Sequence, residues 1–128
     1  QVFWDNACNL FYVNYKGHKM YMSRKFKNEK EVAAYYKSVL MEQDEDSPHK
    51  YLTKDFNVEN SDVVVDVGVA EGNFSLDIID RVKKIYLIET DDDWLEALKM
   101  TFREYEDKVQ IVKGYVSSVE EGPFVTLD

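Results

Sequence analysis

The residues best suited to bind a ligand are the carboxylate and glycines of the segment VVVDVGVAEGNFSL, Val63 to Leu76. Asp66 interrupts a run of valines, and Gly68 and Gly72 follow it. Because glycine has no Cβ atom, the chain can turn sharply there and a ligand can approach backbone N–H groups closely. The pattern is typical of the turn that opens a nucleoside-cofactor site. A plain turn between a strand and a helix is the alternative for an isolated pair of glycines.

A second acid, Glu89, follows at the spacing of a ribose-binding residue. It ends the apolar segment KKIYLIE, about 20 residues after the first glycine, where nucleotide-binding folds place the acid that contacts the ribose. A carboxylate accepts hydrogen bonds from ribose hydroxyls more strongly than a neutral side chain does. We therefore predict that Glu89 binds a ribose, the alternative being a solvated acid at a strand end.

The turn also disfavours two common nucleotide-binding motifs. The dinucleotide fingerprint needs a glycine at the position of Ala70, so a nicotinamide-dependent oxidoreductase is disfavoured. A P-loop needs Gly-Lys-Ser/Thr, which the turn lacks. The remaining acid-x-Gly-x-x-x-Gly pattern resembles motif I of class I S-adenosylmethionine-dependent methyltransferases.

The resemblance continues to the end of the chain. The segments DVGVAEGNFSL, YLIETDDDWLEALKMTF, DKVQIVKGYVSS and VTLD are similar, in this order, to successive blocks of the FkbM-type methyltransferase family. Members of that family often have Gly-Ala-Asn where this chain has Gly68-Val69-Ala70, and a proline at the position of Thr90. Neither difference removes a required glycine or carboxylate.

The resemblance implies an enzyme that uses S-adenosylmethionine to methylate an oxygen, on a sugar or polyketide hydroxyl of a small-molecule or glycan acceptor. No residue is identified as the base that accepts the proton from that hydroxyl. A noncatalytic binding or assembly module with the same fold is the alternative. The cofactor-binding residues implied are Asp66, Gly68, Gly72 and Asn73 for the methionine part, Glu89 and Thr90 for the ribose, and Gly114, Tyr115 and Val116 for the adenine.

The elements around these residues predict a Rossmann-like, doubly wound α/β fold with a parallel sheet. Short apolar strands are expected at Val63–Val67, Ile85–Ile88 and Lys108–Lys113, joined by two crossover helices. Residues 61–128 would then form the N-terminal half of a class I methyltransferase domain. Strand 1 lies in the middle of that sheet in the family, so we expect either more chain after Asp128 or a homo-oligomer that supplies the missing strand.

Residues 1–60 are predicted to be a separate unit, a hairpin followed by a helix. The segment LFYVNYKGHKMYMSRKF alternates on both sides of a turn near Lys16, Gly17 and His18. Asn28 and Glu31 are spaced as a capping box that begins a helix. The helix would carry an apolar stripe made of Val32, Tyr35, Tyr36, Val39 and Leu40.

Composition limits the possible environments and partners. The formal net charge of −9 disfavours a nucleic-acid partner, and no apolar run reaches the roughly 18 residues of a membrane span. A single cysteine, Cys8, excludes an intrachain disulfide and fits a reducing, cytoplasmic environment. We predict no metal, because the acids and histidine of Glu42–Tyr51 lack metal-ligand spacing. A local basic cluster is either a solvated face or a contact for phosphorylated substrates; its members are Lys16, Lys19, Arg24, Lys25 and Lys27.

Overall fold

The computed structural model describes residues 1–42 and 62–114, which form two three-stranded sheets and three α-helices. One sheet belongs to the N-terminal segment and the other to the segment that carries the predicted site. In chain order the elements are β1 (Val2–Asp5), β2 (Leu10–Tyr15), β3 (His18–Tyr21), α1 (Glu29–Glu42), β4 (Val63–Val67), α2 (Asn73–Ile78), β5 (Lys84–Glu89), α3 (Asp92–Thr101), a short 3-10 helix (Arg103–Tyr105) and β6 (Val109–Lys113).

The N-terminal sheet is antiparallel with the order β1-β2-β3. The predicted hairpin is confirmed: β2 and β3 flank Lys16 and Gly17, whose φ angles of 50° and 86° suit the tight turn that matches strand twist. Strand β1 was not predicted. Its four residues are too few to display an alternating pattern, and it is defined by its pairing with β2, in which Val2 lies opposite Val13.

Helix α1 begins with the predicted capping box. The side chain of Asn28 accepts a hydrogen bond from the Glu31 N–H at 2.9 Å, and the Glu31 side chain accepts one from the Lys27 N–H at 2.8 Å. Val32 and Val39 of the predicted apolar stripe are buried. The prediction is wrong for Leu40, which is 46% exposed. The face that α1 buries is therefore narrower than the sequence pattern indicated.

The second sheet is parallel with the order β4-β5-β6, as predicted. Helix α2 connects β4 to β5, and α3 connects β5 to β6. Strand β5 lies in the middle and is largely buried. Within residues 1–42 and 62–114, β4 pairs only with β5, and Val67 at its carboxyl end is 49% exposed.

Helix α2 is shorter than its sequence pattern, in which Phe74, Leu76, Ile78, Ile79 and Val82 are spaced as the apolar side of one helix. The apolar pattern indicated a helix that continues towards Val82, whereas α2 ends at Ile78 and a turn follows, in which the Arg81 N–H donates to the Ile78 carbonyl. Ile79 and Val82 are nevertheless buried. The pattern thus identified the buried residues but not the end of the helix.

The two sheets share one hydrophobic core. Val13, Met20 and Val32 from the N-terminal segment belong to the same buried cluster as residues from α2 and β5. The Tyr21 N–H of β3 also donates a buried hydrogen bond to the Thr101 hydroxyl of α3, at 2.9 Å. The two predicted units therefore pack directly against each other. The predicted boundary near residue 60 lies outside the described residues and stays a prediction.

Candidate functional site

The carboxyl ends of the three parallel strands bring the predicted cofactor-binding residues to one edge of the sheet. Asp66 lies near the end of β4, Glu89 ends β5, and Gly114 follows β6. Two backbone hydrogen bonds connect these ends: the Gly68 N–H donates to the Ile88 carbonyl at 2.8 Å, and the Gly114 N–H donates to the Glu89 carbonyl at 3.0 Å. In open α/β sheets this edge is where ligands bind.

Glu89 connects the glycine turn to the loop after β5. One carboxylate oxygen accepts a hydrogen bond from the Ala70 N–H at 2.9 Å, and the other accepts from the N–H groups of Thr90 and Asp91 at 3.0 and 2.9 Å. The residue is only 7% exposed. A carboxylate offers about four acceptor positions, so Glu89 is held in a fixed orientation and retains capacity for a ligand hydroxyl.

The two predicted glycines of the turn meet different needs. Both have positive φ angles, +67° for Gly68 and +84° for Gly72, which glycine adopts without strain. A Cβ atom at Gly68 would meet nothing within 4 Å, so this position leaves open space beside the backbone. A Cβ atom at Gly72 would lie 2.9 Å from Phe102 and 3.0 Å from Leu98. Gly72 therefore allows the turn to pack against α3 and its end.

An acidic cleft of about 210 Å³ lies between the turn and α1. Within residues 1–42 and 62–114, its lining includes the carboxylates of Glu42 of α1, Asp66 of β4 and Glu71 of the turn and no basic residue. Charge complementarity favours a positively charged ligand in such a cleft. The other lining residues are Tyr35, Val39, Val67, Gly68, Val69, Ala70, Asn73 and Phe74.

Asp66 is a half-buried acid with one hydrogen-bond donor from a side chain. Burial raises its pKa from 3.8 to about 6, and the nearby negative charges of Glu71 and Glu89 act in the same direction. The hydroxyl of Ser75 donates to its carboxylate at 2.8 Å, which opposes the rise. Asp66 is therefore an acid that titrates near neutral pH at the site.

Glu71 and Tyr35 form a contact that the sequence analysis missed. The Tyr35 hydroxyl of α1 donates a hydrogen bond to the carboxylate of Glu71, which is only 6% exposed. Burial raises the pKa of Glu71, whereas the hydrogen bond from Tyr35 favours its charged form. The position of Glu71 between the two glycines of the turn is a signal that could have identified it as a site residue. Tyr35 was interpreted only as part of the apolar stripe.

The remaining predicted residues have different placements. Asn73 is the first residue of α2 and lines the acidic cleft. Thr90 is exposed and contributes its N–H to Glu89. Tyr115 and Val116 lie outside the described residues. Among residues 1–42 and 62–114, no three His, Cys, Asp or Glu side chains are placed so that they could hold one metal ion, and no helix has the length and apolar composition of a membrane span.

Known proteins resemble this chain in sequence and in fold. No family model matches the chain. Over 64 residues it is 36% identical to the probable cobalt-precorrin-6B C(15)-methyltransferase (decarboxylating) of Methanocaldococcus jannaschii, a match that covers 49% of this chain and 35% of that protein. The chain thus spans about a third of the curated relative's length.

Two solved structures match the chain, and one of them, Trm5b, shows a similar fold. Trm5b from Pyrococcus abyssi superposes with a TM-score of 0.51 at 10% sequence identity, over 82% of this chain and 28% of that one. Precorrin 8w decarboxylase from Methanobacterium thermoautotrophicum has a TM-score of 0.42 at 17% identity, over 80% of this chain and 45% of that one.

The chain has a Rossmann-like α/β fold with a parallel sheet. The predicted fold class is therefore confirmed. The sequence relative is itself named as a methyltransferase. The narrower resemblance to the FkbM-type family stays a prediction.

Proposed function

We propose that this chain is the cofactor-binding part of an S-adenosylmethionine-dependent methyltransferase. The observation that carries the proposal is the hydrogen bond between the Ala70 N–H and Glu89, which joins the glycine turn to the acid at the end of the next strand. This is the arrangement expected if one ligand is held by the turn and through its ribose. The methyltransferase name of the sequence relative supports the same activity.

The charge and space of the cleft fit this cofactor. S-adenosylmethionine carries a positive sulfonium and a positive ammonium group, and the part of the cleft lining that the structure describes contains Glu42, Asp66 and Glu71 and no basic residue. The open space beside Gly68 leaves room for a ligand against the backbone. The remaining acceptor capacity of Glu89 suits a ribose hydroxyl.

Each residue would have a defined task. Glu89 and Thr90 would hold the ribose, Asp66, Gly68, Gly72 and Asn73 would form the methionine end, and Gly114, Tyr115 and Val116 would flank the adenine. When bound, the cofactor supplies a methyl group on a sulfonium for in-line displacement. The chain's contribution is to align the reacting groups.

For the acceptor we propose a sugar or polyketide hydroxyl, on the basis of the FkbM-type sequence blocks. The name of the sequence relative gives C(15) of cobalt-precorrin-6B as its methylation site, so a carbon acceptor is the second candidate. Methyl transfer from labelled cofactor to a panel of glycans, polyketides and corrinoid precursors distinguishes these two acceptors. It also distinguishes an enzyme from a noncatalytic binding module.

Calorimetry with this chain tests cofactor binding. We expect S-adenosylmethionine and S-adenosylhomocysteine to bind and NAD not to bind. Glu89→Ala should weaken S-adenosylhomocysteine binding by about 2–4 kcal/mol, roughly 30- to 1,000-fold, because charge-assisted hydrogen bonds are lost. Since Glu89 also holds three N–H groups, circular dichroism must show that the variant is folded. A folded variant with the parent's affinity would exclude the ribose assignment, and a parent that binds only NAD would exclude the proposed function.

A further inference from the structure

Tyr35 connects the N-terminal segment to the glycine turn of the proposed cofactor site. We propose that Tyr35 is a positioning residue for this turn, so that helix α1 contributes a side chain to the cofactor site. The inference rests on the proposed function and extends it. It assigns a role to a residue that lies 36 positions before its partner Glu71 and outside the predicted cofactor-binding segment.

The ring of Tyr35 is held in place by two other aromatic side chains. Its centroid lies 5.2 Å from that of Phe26, in the segment before α1, and 5.5 Å from that of Trp94 in α3. Phe26 and Trp94 contact each other at 5.9 Å. Because side chains from two other segments fix the ring, the Tyr35 hydroxyl is directed at Glu71 at little additional cost in side-chain entropy.

The turn that contains Glu71 has a backbone conformation that contacts from other segments must stabilise. Ala70 has a φ of 53° and Gly72 a φ of 84°, so Glu71 lies between two residues in the left-handed region. Such backbone persists where the surrounding structure fixes it. The Glu89 carboxylate fixes the turn at the Ala70 N–H, and Tyr35 fixes it at the Glu71 side chain. The second of these contacts comes from the N-terminal segment.

The hydrogen bond from Tyr35 is one of three contacts that favour the charged form of the Glu71 carboxylate, the others being the backbone N–H groups of Glu71 and Asn73. Glu42 of α1 and Asp66 of β4 lie near Glu71, and both are acids. The Tyr35 hydroxyl favours the charged form of the Glu71 carboxylate. Without that hydroxyl, the pKa of Glu71 rises further, and the carboxyl group becomes protonated at higher pH.

The test compares two neighbouring tyrosines of α1. Tyr35→Phe removes the hydroxyl that contacts Glu71. Tyr36→Phe is the matched control, because the Tyr36 hydroxyl donates to the Asn14 carbonyl and not to the turn. At pH 7 we expect Tyr35→Phe to weaken S-adenosylhomocysteine binding about tenfold, as for loss of a hydrogen bond to a charged group, and Tyr36→Phe to leave it within about twofold. The pH profile of binding should shift to higher pH in Tyr35→Phe alone.

A double-mutant cycle with Glu71→Ala separates positioning from a general loss of packing. If Tyr35 acts through Glu71, adding Tyr35→Phe to Glu71→Ala should change affinity by less than about twofold. Glu71→Ala alone should weaken binding even if Tyr35→Phe proves too unstable to measure. Equal losses in the two tyrosine variants, additive effects in the cycle, or a folded Tyr35→Phe with the parent's affinity would each overturn the inference and leave the proposed function standing. A parent that binds no S-adenosyl ligand would overturn both.

Discussion

The two acids at the strand ends lose contact with water at different cost, Glu89 being buried and Asp66 half-buried. Glu89 accepts hydrogen bonds from three backbone N–H groups, which compensate for the loss of water around its carboxylate. Asp66 accepts one from a side chain, that of Ser75, and burial raises its pKa to about 6. Asp66 therefore opposes folding when it is charged. A cationic ligand beside it would relieve this cost, which is the behaviour expected of a binding residue rather than a structural one.

Asp66→Asn should consequently stabilise the free protein at high pH. Since the folded-state pKa is raised from 3.8 to about 6, the contribution of Asp66 to stability is largest below about pH 4 and is lost as the pH rises through 6. The loss is on the order of 2–3 kcal/mol. Asparagine cannot titrate and can still accept the Ser75 hydrogen bond. We expect Asp66→Asn to exceed the parent in urea unfolding free energy at pH 8, to approach it at pH 5, and to bind cofactor more weakly. An identical pH dependence of stability in both proteins would refute this.

The two glycines of the turn provide a matched pair of substitutions. Both Gly68→Val and Gly72→Val place a β-branched residue at positive φ, and the backbone strain is similar. Only at Gly72 does the new side chain also collide with Phe102 and Leu98. We expect Gly68→Val to remain folded and lose S-adenosylhomocysteine binding, and Gly72→Val to be less stable than Gly68→Val by about 1–3 kcal/mol. Thermal unfolding and calorimetry measure both effects. Unchanged affinity in Gly68→Val would exclude this turn as the cofactor loop.

At the scale of secondary-structure elements, the sequence predicted the features that are set by residues close together in the chain. Strands β4, β5 and β6 and the turn after β4 were predicted, because β-branched runs and glycine positions are visible in short segments. The half-burial of β4 and the early end of α2 depend on what packs around them. The contact between Tyr35 and Glu71 joins residues 36 positions apart and leaves no local signal.

The contacts of the basic cluster in the N-terminal segment also depend on residues that are distant in the sequence. The sequence left two interpretations, a solvated face and a contact for phosphorylated substrates. Three of its members are exposed and also pair with acids of the α/β segment: Lys16 with Asp77 at 2.9 Å, Arg24 with Glu96 at 2.8 Å and Lys25 with Asp91 at 2.5 Å. The cluster therefore orients the N-terminal segment on the rest of the chain. Exposed ion pairs of this kind add little stability, so the shared hydrophobic core must supply most of the stability of the contact between the two segments.

At the scale of the whole molecule, this core should make the two segments unfold together. Met20 of β3 is fully buried in the cluster that also contains residues of α2 and β5. We expect Met20→Ala to lower the free energy of unfolding by about 2–5 kcal/mol, because it leaves a cavity. The amides of β2 and β5 should lose protection from hydrogen exchange by the same amount.

Arg24→Ala is the control for the Met20→Ala measurement. It removes an exposed ion pair between the same two segments and should change stability by less than about 1 kcal/mol. The comparison separates a core shared across the segments from a surface contact between them. If Met20→Ala releases the amides of β2 and leaves those of β5 protected, the N-terminal sheet opens on its own. Helix α1 would then belong to a separately unfolding unit, and Tyr35 could hold the glycine turn only while that unit stays docked.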